Sequence, residues 1–260
     1  MNPWIQLACL WALAALMMTL GWMWQRLRSN AGIVDVLWSC GVGGSAVLFA
    51  TLGDGATWPR LTMAVLGSLW GMRLAAHLWK RVSDEPEDGR YHHLREHWKG
   101  NQFYFFLFFQ FQAFLIVLFS LPFLAVAHNA QTHGSWMLAA IVIWLISVIG
   151  ESVADRQLAT FRAGELNRGM TCRAGLWRYS RHPNYFLEWI HWFAYVCLAV
   201  GSPRFWLVWS GPVVMYIFLR WISGIPYTET HALRSRGDDY RDYQRTTPML
   251  FPWFSKRTER

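Results

Sequence analysis

Asn184, Glu188 and Trp192 recur every four residues in an otherwise apolar stretch. On a helix that spacing puts an amide, a carboxyl and an indole on one face, a turn apart. Ser180, Arg181, His182 and Pro183 lead into the stretch; proline is tolerated in a first turn, where the free amides favour an anion. Upstream, Asp155, Leu158 and Arg162 stand at i, i+3 and i+7, so an acid and a base share a face where another helix ends. Arg156, Arg162, Arg168, Arg173, Arg178 and Arg181 crowd the short segment around them. Guanidinium pairs with phosphate through two parallel hydrogen bonds. The constellation therefore suits a phosphate-bearing ligand, the alternative being a solvated helix end.

Other ionisable groups lie in or beside long apolar runs: Asp35, Arg73, His77, Glu151, His191 and Arg220. At membrane depth each is costly and so a functional candidate, although long side chains near a span end can snorkel to the interface. Gly41, Gly43 and Gly44 sit inside an apolar run without a strand–turn–helix context, which excludes a Rossmann-type nucleotide site there. Cys9, Cys40, Cys172 and Cys197 have no paired spacing, so neither a disulfide framework nor a metal site is expected.

The elements that must position these groups follow from composition. The 260 residues are 54% hydrophobic and 15% charged, with the charges gathered in short stretches. Residues 61–79 hold one charged side chain and 103–127 none, runs that match the roughly 20 residues a helix needs to cross about 30 Å of hydrocarbon. Seven such runs, near 4–24, 33–52, 61–79, 103–127, 136–154, 184–200 and 205–223, predict an all-α polytopic membrane protein with seven transmembrane helices in a single domain. The first run has no basic segment before it and no small-residue cleavage site after it, so it reads as a span and not a signal peptide.

Basic residues mark the cytoplasmic loops. Twenty of the 24 Lys and Arg fall at 26–28, 80–99, 156–181 and after 224, whereas the loops 53–60, 128–135 and 201–204 hold only Arg60 and Arg204. The N-terminus is thus expected outside and the C-terminus in the cytoplasm. The formal charge of +8 reads as topology and not as a nucleic-acid surface. Trp22, Trp24, Trp58, Trp79, Trp136 and Trp206, near the expected span ends, read as interfacial anchors.

The run Gly175-Leu176-Trp177-Arg178-Tyr179-Ser180-Arg181-His182-Pro183-Asn184-Tyr185, followed by Glu188, resembles the C-terminal signature of the steroid 5α-reductases. The tail with Tyr227, Glu229, His231, Gly237, Tyr240, Tyr243 and Pro252 resembles the same region. These motifs cover about 150–254 and are shared with sterol C14 and delta-7 reductases and with isoprenylcysteine carboxyl methyltransferases. The N-terminal half, with Val34-Asp35-Val36-Leu37-Trp38, Trp70-Gly71-Met72-Arg73-Leu74, Arg90-Tyr91 and Leu94-Arg95-Glu96, resembles a bacterial, DUF1295-like branch of that family.

The resemblance implies an NADPH-dependent oxidoreductase of a bacterial inner membrane, acting on the CH–CH group of a 3-oxo-4-ene steroid or related apolar enone. Residues 1–127 would be the substrate side and 128–260 the cofactor side, facing the cytoplasm. It implies that NADPH is held by Asp155, Leu158, Arg162, Arg168, Arg173, His182, Asn184, Tyr185, Glu188, Trp192, Glu229, His231 and Tyr240. The Gln-Glu pair and the Tyr that grip the 3-oxo group in the steroid enzymes have no counterpart here. The acid that meets the ketone is therefore sought at Asp35, among Val34, Val36, Leu37 and Trp38, or at His77, one turn from Arg73. An S-adenosylmethionine-dependent lipid or prenyl-cysteine methyltransferase and a non-enzymatic lipid-binding protein are the alternatives. Partners are expected to be an apolar steroid-like or lipid substrate entering from the bilayer, and membrane lipids, with no nucleic acid.

Overall fold

In a computed structural model that describes residues 1–254, the secondary structure of those residues is helical, with no strand. The predicted cytoplasmic C-terminus falls on 255–260, outside the described residues. The helices are α1 (Pro3–Arg28), α2 (Ile33–Leu52), α3 (Thr57–Asp84), α4 (Gly89–His97), α5 (Gln102–Ala127), α6 (Gly134–Ala163), α7 (Pro183–His191), α8 (Phe193–Leu198), α9 (Ser210–Ile217), α10 (Ile225–Arg236) and α11 (Asp238–Thr246). A π-helical turn, Phe218–Ile222, follows α9.

Five helical stretches are long and apolar enough to cross a membrane: α1, α2, α5, α6 and Phe205–Arg236. Two expected spans differ. Helix α3 is 28 residues long, but Arg60, Arg73, His77, Lys80 and Arg81 dilute its apolar character. The stretch 184–200 is not one helix, because α7 ends at His191 and α8 runs for only six residues. At 1.5 Å per residue these pieces extend about 14 and 9 Å, short of a bilayer core.

The chain forms two compact units, Met1–Met137 with Tyr195–Gly211, and Leu138–Ala194 with Pro212–Arg260. In the first, α2 and α3 cross where Gly43 faces Gly71. A Cβ built on Gly71 would lie 2.7 Å from the Gly43 Cα, so only glycine permits this approach, the small-residue packing that membrane helices favour. Arg60 donates to the Ala50 and Gly53 carbonyls at 2.8 and 2.7 Å, satisfying acceptors that the end of α2 leaves open. Gln25 donates to the Gln102 side chain at 2.8 Å, joining α1 to α5.

In the second unit a short 3-10 turn, Gly175–Arg178, is sewn onto α6. The Trp177 indole donates to the Ala154 carbonyl at 2.9 Å, and Gln157 accepts from the Leu176 amide at 2.9 Å. Leu187 of α7 fills the space over Gly150 of α6. The tail returns to the loop before α7, where the Arg181 amide donates to the Pro248 carbonyl and the Trp253 amide to the Tyr179 carbonyl, both at 2.9 Å.

Candidate functional site

Within the second unit the motif residues fall into three groups. Asn184, in the first turn of α7, donates its side-chain amide to Asp155 of α6 at 3.0 Å. The two half-patterns legible in the sequence therefore meet in space. Glu188 and Leu158 are half-buried and Trp192 is fully buried. Arg162 and Arg168 are exposed, and neither makes an ion pair with a described residue.

A second group surrounds Glu229 of α10. Its carboxylate accepts from Arg181 Nε at 2.7 Å, His182 Nε2 at 3.2 Å and Gln244 Nε2 at 2.8 Å, with the Tyr240 hydroxyl at 3.4 Å. Arg181 also donates to the Gln244 and Thr247 carbonyls at 3.0 and 2.8 Å. The His182 ring stacks on Tyr185 with centroids 5.3 Å apart, and the Tyr185 hydroxyl meets Thr228 at 3.0 Å. Burial lowers the His182 pKa below its ordinary 6.5, and the favourable Glu229 carboxylate offsets only part of that. Burial likewise pushes the Tyr240 phenol up, with the Glu229 charge adding to it.

The third group is Arg173, which binds Asp239 at 2.9 Å and Asp242 at 2.7 Å on α11. Burial would raise the Asp239 carboxyl, but the Thr171 amide and Arg173 hold it below the usual carboxylate range. The expected pool of six arginines open to an anion is thereby corrected. Arg173 and Arg181 are engaged by acids that lie 66 and 48 residues further along the chain, a pairing that no local spacing reveals. His231 is exposed on α10, away from the Glu229 hydrogen bonds.

In the first unit Asp35 has a different setting from the apolar one expected. Its carboxylate accepts from the Tyr91 hydroxyl at 2.7 Å and from Arg90 at 3.1 Å. Arg90 is shared with Asp88, which caps α4 by accepting the Arg90 amide at 2.8 Å and also binds Arg81. Burial would raise the Asp88 carboxyl; Arg90 and Arg81 hold it below its ordinary range. Burial, the larger effect, and the Asp35 carboxylate raise the Tyr91 phenol well above its ordinary value. These residues line a small open cleft with Asn30, Leu78 and Pro86. Beside it Arg95 binds Glu87 at 2.7 Å, and Glu87 also accepts the Ala31 amide. His77 is exposed on α3 and is not part of that lining. Asp35 and Tyr91 lie 56 residues apart, so no local spacing reveals their pairing. Among the described residues no cluster of His, Cys, Asp and Glu is arranged to hold a metal ion.

Comparison with known proteins places the chain. An uncharacterized protein of Schizosaccharomyces pombe is 25% identical over 257 residues, covering 86% of this chain and 73% of its own. No solved structure matches. The family model described as "Protein of unknown function (DUF1295)" matches residues 21–247. That family is related to steroid 5α-reductase-like proteins, and the match extends over most of both units: the chain belongs to the DUF1295 family.

Proposed function

We propose that this chain is a membrane reductase that uses NADPH to saturate the double bond of an apolar enone, a 3-oxo-4-ene steroid or a related lipid. The observation that carries the reading is the Asn184–Asp155 hydrogen bond. It brings together the two halves of the motif that resembles the NADPH-holding residues of steroid 5α-reductases, on the cofactor side assigned from sequence.

The donor set fits a dinucleotide phosphate. Arg162 and Arg168 are exposed and form no ion pair with a carboxylate of the described residues, and two arginines suit a 2′-phosphate or pyrophosphate better than the single net charge of S-adenosylmethionine. Asn184 is held by Asp155 with its amide oriented, its carbonyl oxygen accepting the Tyr185 amide at 3.0 Å. The Glu229 hub fixes Arg181 and His182 ahead of α7, so the loop enters the site already ordered. NADPH supplies the hydride that the reaction needs.

With the cofactor bound, hydride would be supplied to the β-carbon of the enone, charge would build on the ketone oxygen, and water would return the proton at the α-carbon. A donor that meets the growing charge on oxygen lowers the barrier. We assign that role to Tyr91, ahead of the exposed His77: burial keeps its phenol protonated, and its one hydroxyl hydrogen, given to Asp35 in the free protein, would be re-aimed at the ketone oxygen when the enone binds. For topology we propose seven passes, α3 and the broken α7–α8 segment completing the five apolar stretches, with the N-terminus outside and the cofactor side in the cytoplasm of a bacterial inner membrane. The direct test is an assay of NADPH oxidation by the purified protein in lipid nanodiscs with progesterone as the enone. Progesterone-dependent oxidation with a saturated product supports the reading; methyl transfer from S-adenosylmethionine to a lipid, with no such oxidation, replaces it.

A further inference from the structure

Helix α6 carries one polar line from its C-terminal end towards its middle. Trp144, Ser147, Glu151, Asp155, Leu158 and Arg162 follow at intervals of three or four, which keeps all six on one face. Asp155 to Arg162 belong to the proposed cofactor entrance, whereas nothing so far assigns the deeper end. Trp144 and Ser147 are 8% and 1% exposed. Neither the Trp144 indole Nε1 nor the Ser147 hydroxyl has a hydrogen-bond partner among the described residues.

Ser147 differs from the other buried or half-buried helical serines among the described residues. A helical serine commonly returns its hydroxyl to a carbonyl three or four residues back, and Ser39, Ser45, Ser120 and Ser152 do so at 2.8, 2.7, 2.7 and 2.7 Å. Ser152 lies on the same helix. Leaving a buried polar group unmet costs on the order of 1–3 kcal/mol, and the hydrocarbon around a span offers no replacement partner. Two such groups one turn apart on one face are explained by a third group that they both serve.

We propose that Trp144 and Ser147 form a subsite for an uncharged carbonyl oxygen. The indole N–H only donates and the hydroxyl can donate, so the partner accepts twice, which a carbonyl does with its two lone pairs. A carboxylate or phosphate would bring charge to the middle of a span, where it is costly, and a hydroxyl would bring a proton of its own that needs a further acceptor. The inference rests on the reductase reading for its geometry. Ser147 lies eight residues from Asp155, about 12 Å along the helix axis, so a ligand held at Asp155 and Asn184 that follows α6 inward ends here. Two molecules of that reading carry such an oxygen, the enone through its ketone and the cofactor through its nicotinamide carboxamide.

The test compares full-length wild type, Trp144→Phe and Ser147→Ala in thermal melts with NADPH, with 2′-phospho-ADP-ribose, which lacks the nicotinamide, and with progesterone. Without ligand both variants should melt at or above the wild-type temperature, because a buried unmet donor has gone; this also shows that they fold. Each should weaken the apparent affinity of the carbonyl ligand about tenfold. Weakening confined to NADPH, with 2′-phospho-ADP-ribose unaffected, identifies the carboxamide. Weakening confined to progesterone identifies the ketone and withdraws the role given to Tyr91. If wild type binds progesterone but not NADPH, and the variants lose that binding, the subsite stands and the reductase reading falls. Equal stabilisation of wild type and variants by every ligand, no stabilisation of wild type by any, or loss extending to 2′-phospho-ADP-ribose overturns the subsite.

Discussion

Asn184 and Asp155, 29 residues apart in sequence, are joined by a 3.0 Å hydrogen bond that ties the first turn of α7 to the last turns of α6. If this pair orients the cofactor, breaking it removes affinity and leaves the fold in place. Asn184→Ala should weaken NADPH binding by tenfold or more, the scale of a hydrogen bond to a charged group, with Glu188→Ala and Arg162→Ala acting in the same direction. Trp136→Ala, in the first turn of α6 and exposed, should leave the affinity unchanged. Isothermal titration on the four variants checks this, and unchanged affinity in the first three removes these residues from the cofactor site.

The Glu229 hub should be a stability element. Arg181 and Glu229 are only 10% and 15% exposed, and removing one partner of a buried pair leaves the other charge unmatched, a loss of roughly 3–5 kcal/mol. Glu229→Ala should therefore lower the melting temperature by many degrees. Arg241→Ala, which breaks a pair exposed by 61% and 93%, should shift stability by less than about 1 kcal/mol. Comparable melting temperatures for the two variants would show that the hub is not structural.

These two constellations mark what local spacing can and cannot reveal. Helix α2 occupies the expected 33–52 and α5 begins one residue before the expected 103, because uninterrupted apolar runs bounded by polar or glycine residues define both. The run 184–200 is apolar throughout, and hydropathy does not register that the chain turns at Trp192 between α7 and α8. Faces at i+4 placed Asn184 with Glu188 correctly, since that periodicity is local. The acids that engage Arg173 and Arg181 lie far along the chain and are visible only once the tail has folded back. Trp144 and Ser147 read as ordinary members of an apolar span, and only their unmet hydrogen bonds set them apart.

His182 gives a pH dependence with a definite sign. Its folded pKa lies below 6.5, so as pH falls through about 6.5 the unfolded chain takes up a proton that the folded chain refuses. The stability due to the neutral ring is present above that pH and is lost as pH falls from there towards the folded pKa. His182→Gln should flatten the fall in melting temperature between pH 7 and pH 5, roughly the window where an imidazole titrates. An unchanged slope in the variant would assign the acid sensitivity to other groups.

The Asp35–Tyr91 contact carries the prediction for the chemical step. Tyr91→Phe and Asp35→Asn should each slow enone reduction by ~100-fold, the usual scale for losing one acid or the group that orients it, with NADPH affinity unchanged. His77→Phe should have the smaller effect. Single-turnover rates with saturating NADPH separate chemistry from binding, and a His77→Phe defect larger than that of Tyr91→Phe would reverse the assignment.

The central claim, that this membrane protein is built to hold a nicotinamide dinucleotide phosphate, is tested most directly by differential stabilisation of the purified full-length chain. A ligand that binds only the native state raises its melting temperature. Adding NADPH at a hundred times its dissociation constant stabilises by about 2.7 kcal/mol, an upward shift that should be absent with S-adenosylmethionine at the same concentration and should disappear in Asn184→Ala. Stabilisation by S-adenosylmethionine and none by NADPH would contradict the account.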